Sequence, residues 1–600
     1  MITRNAFRSA LKSSLAFALA ASFTASLTAC APTDGVEVTP ADTAAAMMDS
    51  KSDTKIDQRG NGAVSAADPR AQAAGEKILA MGGSATDAAI AVMLALTVVE
   101  PQSSGVGGGG FLVHAGEDGV TTYDGRETAP AAATPTRFLD ADGERLPRGQ
   151  RVLSGLSVGV PGNLALAAKA HAQRGKLEWA QLFGPAIRLA RDGFLMNRRL
   201  NESLTRSKGR ADKAQGARAV FFGADGEALP VGARVTNPAF AKTLEAIASA
   251  GPDYFYTDTA PRLAAYVAGE TPQDGRMVEA DITSYVAKLR DPVCGQYRSF
   301  KVCGMGPPSS GGVAVAQMLG QLERFDLAAL GPDSATFWHL FLESQRIAYA
   351  DRGLYIGDED FVPVPVEGLV DPAYIAQRSA LISPDTALAE ATPGTPKGVE
   401  VALAPGDRPN EQGTTHFSVV DKDGNAISYT STIEGAFGSG LFFEGFYLNN
   451  ELTDFSLTPD QDGTPVANRV EGKKRPRSSM APTIVFDEKG DVVLVVGAAG
   501  GPTIPVQTAR AIIGVVDFGL TAQEAIGLPL IMAFGSTVVY EQGTAIEGME
   551  ETLKALGHTR IRGFGASLKA NALRRVTGAD GTVSWEVARD PRVEPKLSYE

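Results

Sequence analysis

The chain has 600 residues, 44% hydrophobic and 21% charged, a globular balance that excludes a disordered chain, a collagen-like chain and a small disulfide framework. Its net charge of −13 disfavours nucleic-acid binding, which needs a basic face for the phosphates. Five scattered His and three Cys form no zinc-like ligand set; neither a metal nor an organic cofactor is expected.

Residues 1–29 read as a signal peptide. Arg4, Arg8 and Lys12 make a basic start, and the apolar stretch 15–27 is too short to span a bilayer. Leu27-Thr28-Ala29-Cys30 resembles a bacterial lipobox, in which Cys30 is lipidated and becomes the first mature residue. Plain secretion, with Cys30 merely near the cleavage point, is the alternative. The expectation is a lipid-anchored protein on the periplasmic side of a bacterial envelope, touching the membrane through its lipid alone. Residues 30–66 are rich in Ala, Thr, Asp and Gly without periodicity, and read as a flexible tether.

Apolar residues at helical spacing predict helices over 71–81 and 84–98. Ser84 N-caps the second, which is apolar on most faces and therefore buried. The glycine-rich run 100–111 follows a helix and lacks the Gly-Lys-Ser/Thr ending of a phosphate loop, so it reads as close backbone packing. Residues 111–114 and 120–124 form a hairpin about Asp118-Gly119. Residues 160–260 read as mainly helical. Residues 292–303 form a second hairpin, turning near Arg298-Ser299, which sets Cys294 opposite Cys303. Export permits a disulfide there, and two buried free thiols are the alternative. Ser309-Ser310 caps the next helix. Further helices cover 336–352 and 372–381, and Asp351-Arg352 reads as an internal ion pair. Residues 383–412 read as a loop. From Thr415 to about Val496 the period falls to two and strands dominate. Helices flanking stacked sheets give an α+β sandwich.

Residues 413–420 and 425–432 flank the turn Asp421-Lys422-Asp423-Gly424. Counting back from that turn sets Thr432 within about one residue of Thr414. A cross-strand Thr pair is ordinarily only stabilising. However, the five His are widely spread and no Ser–His–Asp set is evident. An N-terminal Thr needs no His, because its own α-amine, with a reference pKa of about 7.7–8.0, serves as base for its hydroxyl. The Gly413–Thr414 bond lies between a loop and a strand, where such a terminus can be made.

At this point the sequence resembles the γ-glutamyltransferase family of N-terminal-nucleophile hydrolases. The likeness covers nearly all of residues 60–565. It is carried in order by 82–89, Val99-Glu100-Pro101 with 107–110, 124–130, 307–312, Ala350-Asp351-Arg352 with Gly357-Asp358, Thr414-Thr415-His416, 448–455, 475–480 and Gly500-Gly501. The resemblance implies a four-layer αββα sandwich. It implies self-cleavage between Gly413 and Thr414 into a large subunit, 67–413 beyond the tether, and a small subunit, 414–600. Thr414 is the implied nucleophile and Thr432 its hydrogen-bond partner. Arg126 is implied to grip the donor's α-carboxylate, as a guanidinium does in a bidentate fork, helped by Ser478 and Ser479. Glu451 and Asp454 are implied acceptors for the donor's α-ammonium. Gly500 and Gly501 are implied to supply the oxyanion-hole N–H pair. His416 is read as packing the strand, not as a base. The implied substrate is a glutathione-like γ-glutamyl amide, with water or an amino acid or peptide as acceptor.

Three departures alter the expectation. The family commonly has Asn where this chain has Glu434. Glu434, Glu451 and Asp454 then surround one ammonium, which requires a raised pKa or a second cation, and donor affinity is expected to differ. Gly500-Gly501 is followed by Pro502-Thr503-Ile504-Pro505 instead of Ser-Arg-Ile, so the oxyanion loop is expected to be set differently. No aromatic residue lies between Phe455 and Ser478, where many bacterial relatives place a gating Tyr. A more open pocket, favouring hydrolysis, is expected. Two alternatives stand: an acylase of the same family acting on a glutaryl or β-lactam acyl amide, and a non-catalytic envelope lipoprotein.

Overall fold

The computed structural model describes residues 55–57, 60, 62–406, 413–565 and 568–599. The signal peptide, Cys30 and most of the expected tether lie outside the described residues. Two antiparallel sheets carry the architecture. The first runs Gly62–Ala66, Thr415–Asp421, Ala426–Thr432, Gly109–Gly116, Gly119–Gly125, Lys288–Arg290. The second runs Lys55–Asp57, Val583–Arg589, Lys569–Thr577, Val492–Ala499, Thr483–Phe486, Phe300–Gly304, Val293–Tyr297.

Strand alternation explains how they stack. Phe417, Val419, Ile427 and Tyr429 join a core with helices Pro69–Ala80, Ala85–Val99, Asn163–Arg174, Trp179–Arg191 and Pro238–Ala250. The intervening residues face the second sheet. Ser418 Oγ donates to Val495 O at 3.3 Å and Ser428 Oγ to Val496 O at 3.1 Å. Helices Gly311–Leu322, Ala335–Tyr355 and Ile504–Val516 share a second core with the other sheet. The chain therefore has the αββα layering expected of an N-terminal-nucleophile hydrolase. Among the described residues no helix is long and apolar enough to cross a membrane.

Several expectations need correction. The tether ends earlier than residue 66, because Gly62–Ala66 is a strand paired to Thr415–Asp421 with Val64 opposite Val419. Four of its five residues are buried, so neither face is polar and no alternation shows in the sequence. Asp351 and Arg352 do not pair, since consecutive helical residues diverge by about 100°. Asp351 accepts from Arg378 (3.2 Å), Gln317 (3.0 Å) and Tyr374 (2.8 Å). Arg352 donates to Ser310 Oγ (2.7 Å) and Ser479 Oγ (2.6 Å). The helix Gly311–Leu322 takes its side-chain contact from Ser309, whose Oγ accepts from Gly311 N at 2.9 Å. The hydroxyl of Ser310, at the N-cap, turns instead to Ser478 O at 2.7 Å. The Cys hairpin forms as read, turning at Arg298 with φ of +53°, and Cys294 and Cys303 are bridged. Of the two readings of those cysteines, the structure has the disulfide.

Candidate active site

The site is built around the first residues of the strand Thr415–Asp421. Its register with Ala426–Thr432 pairs Thr415 with Ser431, so Thr414 falls opposite Thr432. Thr414 Oγ1 donates to Thr432 Oγ1 at 3.3 Å, and Thr432 Oγ1 also accepts from Glu434 N at 2.8 Å. The backbone is left-handed on both sides of the 413–414 bond, with φ of +105° at Gly413 and +101° at Thr414. A Cβ at Gly413 would lie 2.1 Å from Glu434 O, so only glycine fits. Thr414 has no such freedom. A β-branched residue held there stores roughly 1–3 kcal/mol of strain, at the bond expected to break.

Thr414, Thr432, Arg126, Glu434, Glu451, Asp454, Ser478 and Gly501 line one narrow cleft, with Met480 and Ile504 as its apolar wall. Every one of these residues is buried. Val470, from the aromatic-free segment, packs into a small core with Leu452 and Phe455.

Arg126 organises the charge. Its Nε donates to Pro476 O at 3.0 Å, one Nη to Glu451, and the other to Asp454 Oδ2 at 2.6 Å and Arg477 O at 2.9 Å. Glu434 accepts from Asn450 Nδ2. Burial pushes the Glu127 carboxyl up to about 8. Burial also drives Glu451 well above the ordinary carboxylate range; Arg126 opposes this, and the like charges of Glu127 and Glu434 add to it. The raised carboxyls ease the crowding of carboxylates noted in the sequence.

Two expected members stand outside the cleft lining. The Ser479 hydroxyl accepts from Arg352, because neighbouring residues of an extended segment point to opposite sides and Ser478 takes the cleft side. Gly500 lies next to the lining. Its φ of +129° and that of +58° at Gly501 turn the chain there, and its carbonyl accepts from Thr503 Oγ1 at 2.9 Å. His416 is buried, with Nδ1 2.9 Å from Thr430 Oγ1, and burial lowers it to about 3. It is neutral and packs between the sheets. Glu127 and Asn450 were missed as site residues. Their only sequence signal was position, one beside Arg126 and the other beside Glu451.

Three residues that the sequence scatters do come together: His339, Glu343 and His558, all buried. The two rings meet directly, Nδ1 to Nε2 at 2.8 Å, and the Glu343 oxygens are taken by Arg346 Nη1 (2.8 Å) and Leu388 N (2.7 Å). The expected lack of any such cluster is corrected, but each member already has an internal partner.

Comparison with known proteins gives four findings. The family model described as gamma-glutamyltranspeptidase matches residues 71–599. The glutathione hydrolase proenzyme of Bacillus subtilis (strain 168) is 38% identical over 519 residues, 84% of this chain and 86% of that protein. The Acylase ACY 1 proenzyme of Pseudomonas sp. (strain SE83) is 33% identical over 525 residues, 86% of this chain and 90% of its own. Among solved structures, a cephalosporin acylase from Bacillus halodurans superposes with a TM-score of 0.78 at 25% identity, over 90% of this chain and 96% of that one.

Proposed function

The chain belongs to the gamma-glutamyltranspeptidase family, an enzyme of the glutathione hydrolase kind, and from that membership we propose that Thr414 is its nucleophile, freed by self-cleavage and acting on γ-glutamyl amides. The observation that carries the reading is the meeting of the Thr414 and Thr432 hydroxyls in the same cleft as Arg126, Glu451 and Asp454. Thr414 Oγ1 attacks the Gly413 carbonyl, the peptide becomes an ester, and water releases residues up to 413. The strained backbone at Thr414 favours that step. The new α-amine then takes the proton of its own hydroxyl as Oγ1 attacks the donor's γ-carbonyl. Backbone N–H groups of the Gly500-Gly501 turn face the developing oxyanion. The leaving amine departs with a proton, and water or an acceptor amine resolves the ester.

The charge pattern fits a zwitterionic amino-acid head. Its α-carboxylate replaces Glu451 and Asp454 on Arg126, while its α-ammonium takes those carboxylates over. Each internal ion pair is exchanged for an external one, and no buried charge is left unpaired. An anionic glutaryl group offers no ammonium to Glu434, Glu451 and Asp454, so the acylase reading is the weaker one. Lipid anchoring at Cys30 is part of the proposal, and the Cys294–Cys303 disulfide supports export.

The test compares parent and Thr414→Ala on a denaturing gel and with a chromogenic γ-glutamyl anilide. Two fragments and turnover are expected of the parent, one chain and no turnover of the variant. Turnover by Thr414→Ala would refute the reading.

A further inference from the structure

Beneath the nucleophile the contacts close into a ring. Thr414 N donates to Ser103 O at 3.2 Å. Ser103 Oγ accepts from Lys569 Nζ at 3.0 Å, and Lys569 Nζ donates to Glu100 Oε2 at 3.1 Å. Glu100 Oε2 also accepts from Thr415 Oγ1 at 2.9 Å, which returns the ring to the residue after Thr414. Arg199 pairs with Glu100 from outside the ring. Glu100, Ser103, Thr415 and Lys569 are all buried.

A buried lysine carries a desolvation cost that an apolar side chain of similar size would avoid. Its placement gives it another use. Lys569 pairs with Ala499 across the second sheet, one residue before Gly500-Gly501. A single residue thus reaches from the strand that ends in the oxyanion turn to the partner of the nucleophile's own nitrogen. Glu100 and Ser103 precede the 413–414 bond, whereas Thr415 and Lys569 follow it. The ring therefore survives cleavage as a non-covalent strap across the new junction. Once the bond is cut, Thr414 N is an amine with free rotation about its bond to Cα. Ser103 O, held in place by this ring, takes one N–H and leaves the lone pair for Oγ1.

We propose that Lys569 is a positioning residue for acyl transfer, fixing the freed Thr414 amine, through Ser103 and Glu100, against the Gly500-Gly501 turn. The proposal rests on the reading of Thr414 as a terminal nucleophile. Lys569→Met removes the N–H donors but keeps an unbranched chain, and Lys569→Arg restores donors at the end of a long side chain. For each full-length variant the fragments on a gel, and kcat and KM for a γ-glutamyl anilide, are measured. Lys569→Met is expected to be cut into two fragments, to keep KM within about twofold and to lose kcat by about 10- to 100-fold, as displacement of a reacting group does. Lys569→Arg recovers most of that loss. A space-filling role would be met by Met and would leave kcat unchanged. Where Lys569→Met fails to fold or to be cut, Ser103→Ala decides, because it removes one hydroxyl only. Its kcat is expected to fall about three- to tenfold with KM unchanged. The proposal is overturned if the processed Lys569→Met enzyme keeps kcat within twofold of the parent, or if Ser103→Ala does so in the second case. Turnover by Thr414→Ala in the same assay would refute the nucleophile reading instead.

Discussion

Position 434 shows how much one side chain decides in this cleft. Glu434 lines it, holds Asn450, and sits at a φ of +68°. Asn is one of the few residues that enter the left-handed region readily, so Glu434→Asn is tolerated by the backbone. It also removes a like charge that helps raise Glu451. The expected outcome is intact cleavage at 413–414 with a KM for a γ-glutamyl anilide changed by at least about threefold. Unchanged KM and kcat would remove Glu434 from donor binding. At this scale local geometry was legible and distant contact was not. The turn at 421–424 placed Thr432 opposite Thr414 by counting alone. Lys569 and Ser103 lie 466 residues apart, and no local pattern announces their meeting. Ser479 was assigned to the cleft beside Ser478, although the two hydroxyls of an extended pair cannot face the same way.

Elements were readable where their ends carry their own chemistry. The helix Ala85–Val99 starts at a capping box in which Asp87 N donates to Ser84 Oγ (3.2 Å) and Ser84 N to Asp87 Oδ2 (2.9 Å). The same carboxylate oxygen accepts from Lys176 N (2.9 Å) and Leu177 N (3.1 Å), so one side chain fixes the helix and the turn before Trp179–Arg191. Asp87→Ala strands three backbone donors and is expected to cost about 3 kcal/mol, seen as a lower urea midpoint. A loss below about 0.5 kcal/mol would mean that water replaces the carboxylate. The strand Gly62–Ala66 and the helix Ile504–Val516 were not foreseen, because burial on every side erases the periodicity on which such readings depend.

Across the whole molecule, buried titrating groups set the pH range of stability. Burial lowers His416 to about 3, and His114 and His558 to about 4; Arg174 adds to the effect at His114, and His339 and Arg346 add to it at His558. An unfolded histidine titrates near 6.5. Between these values the unfolded chain binds more protons, so stability present above pH ~6.5 is lost as the pH falls toward 4. Glu127 acts in the opposite sense. Its carboxyl, raised to about 8, keeps a proton that the unfolded chain releases near 4.5, so its contribution is lost as the pH rises through 8. Calorimetry is expected to give a Tm highest near pH 6.5, falling more steeply on the acid side, with Glu127→Gln flattening the alkaline side. A Tm constant from pH 4.5 to 8 would contradict this. An α+β sandwich was legible in the helical and strand periods, whereas the four-layer αββα order was implied by the family resemblance. The charge balance of the cleft was not legible, since it joins Arg126 to residues more than 320 positions away.

The central claim is a freed amine on the residue that bears the nucleophilic hydroxyl. Intact-mass analysis and N-terminal sequencing of the mature protein, run beside an amide-hydrolysis assay, test it most directly. A fragment whose first residue is Thr414, with activity confined to cleaved material, is the expected result. An unbroken Gly413–Thr414 junction in protein that still splits γ-glutamyl amides would contradict it.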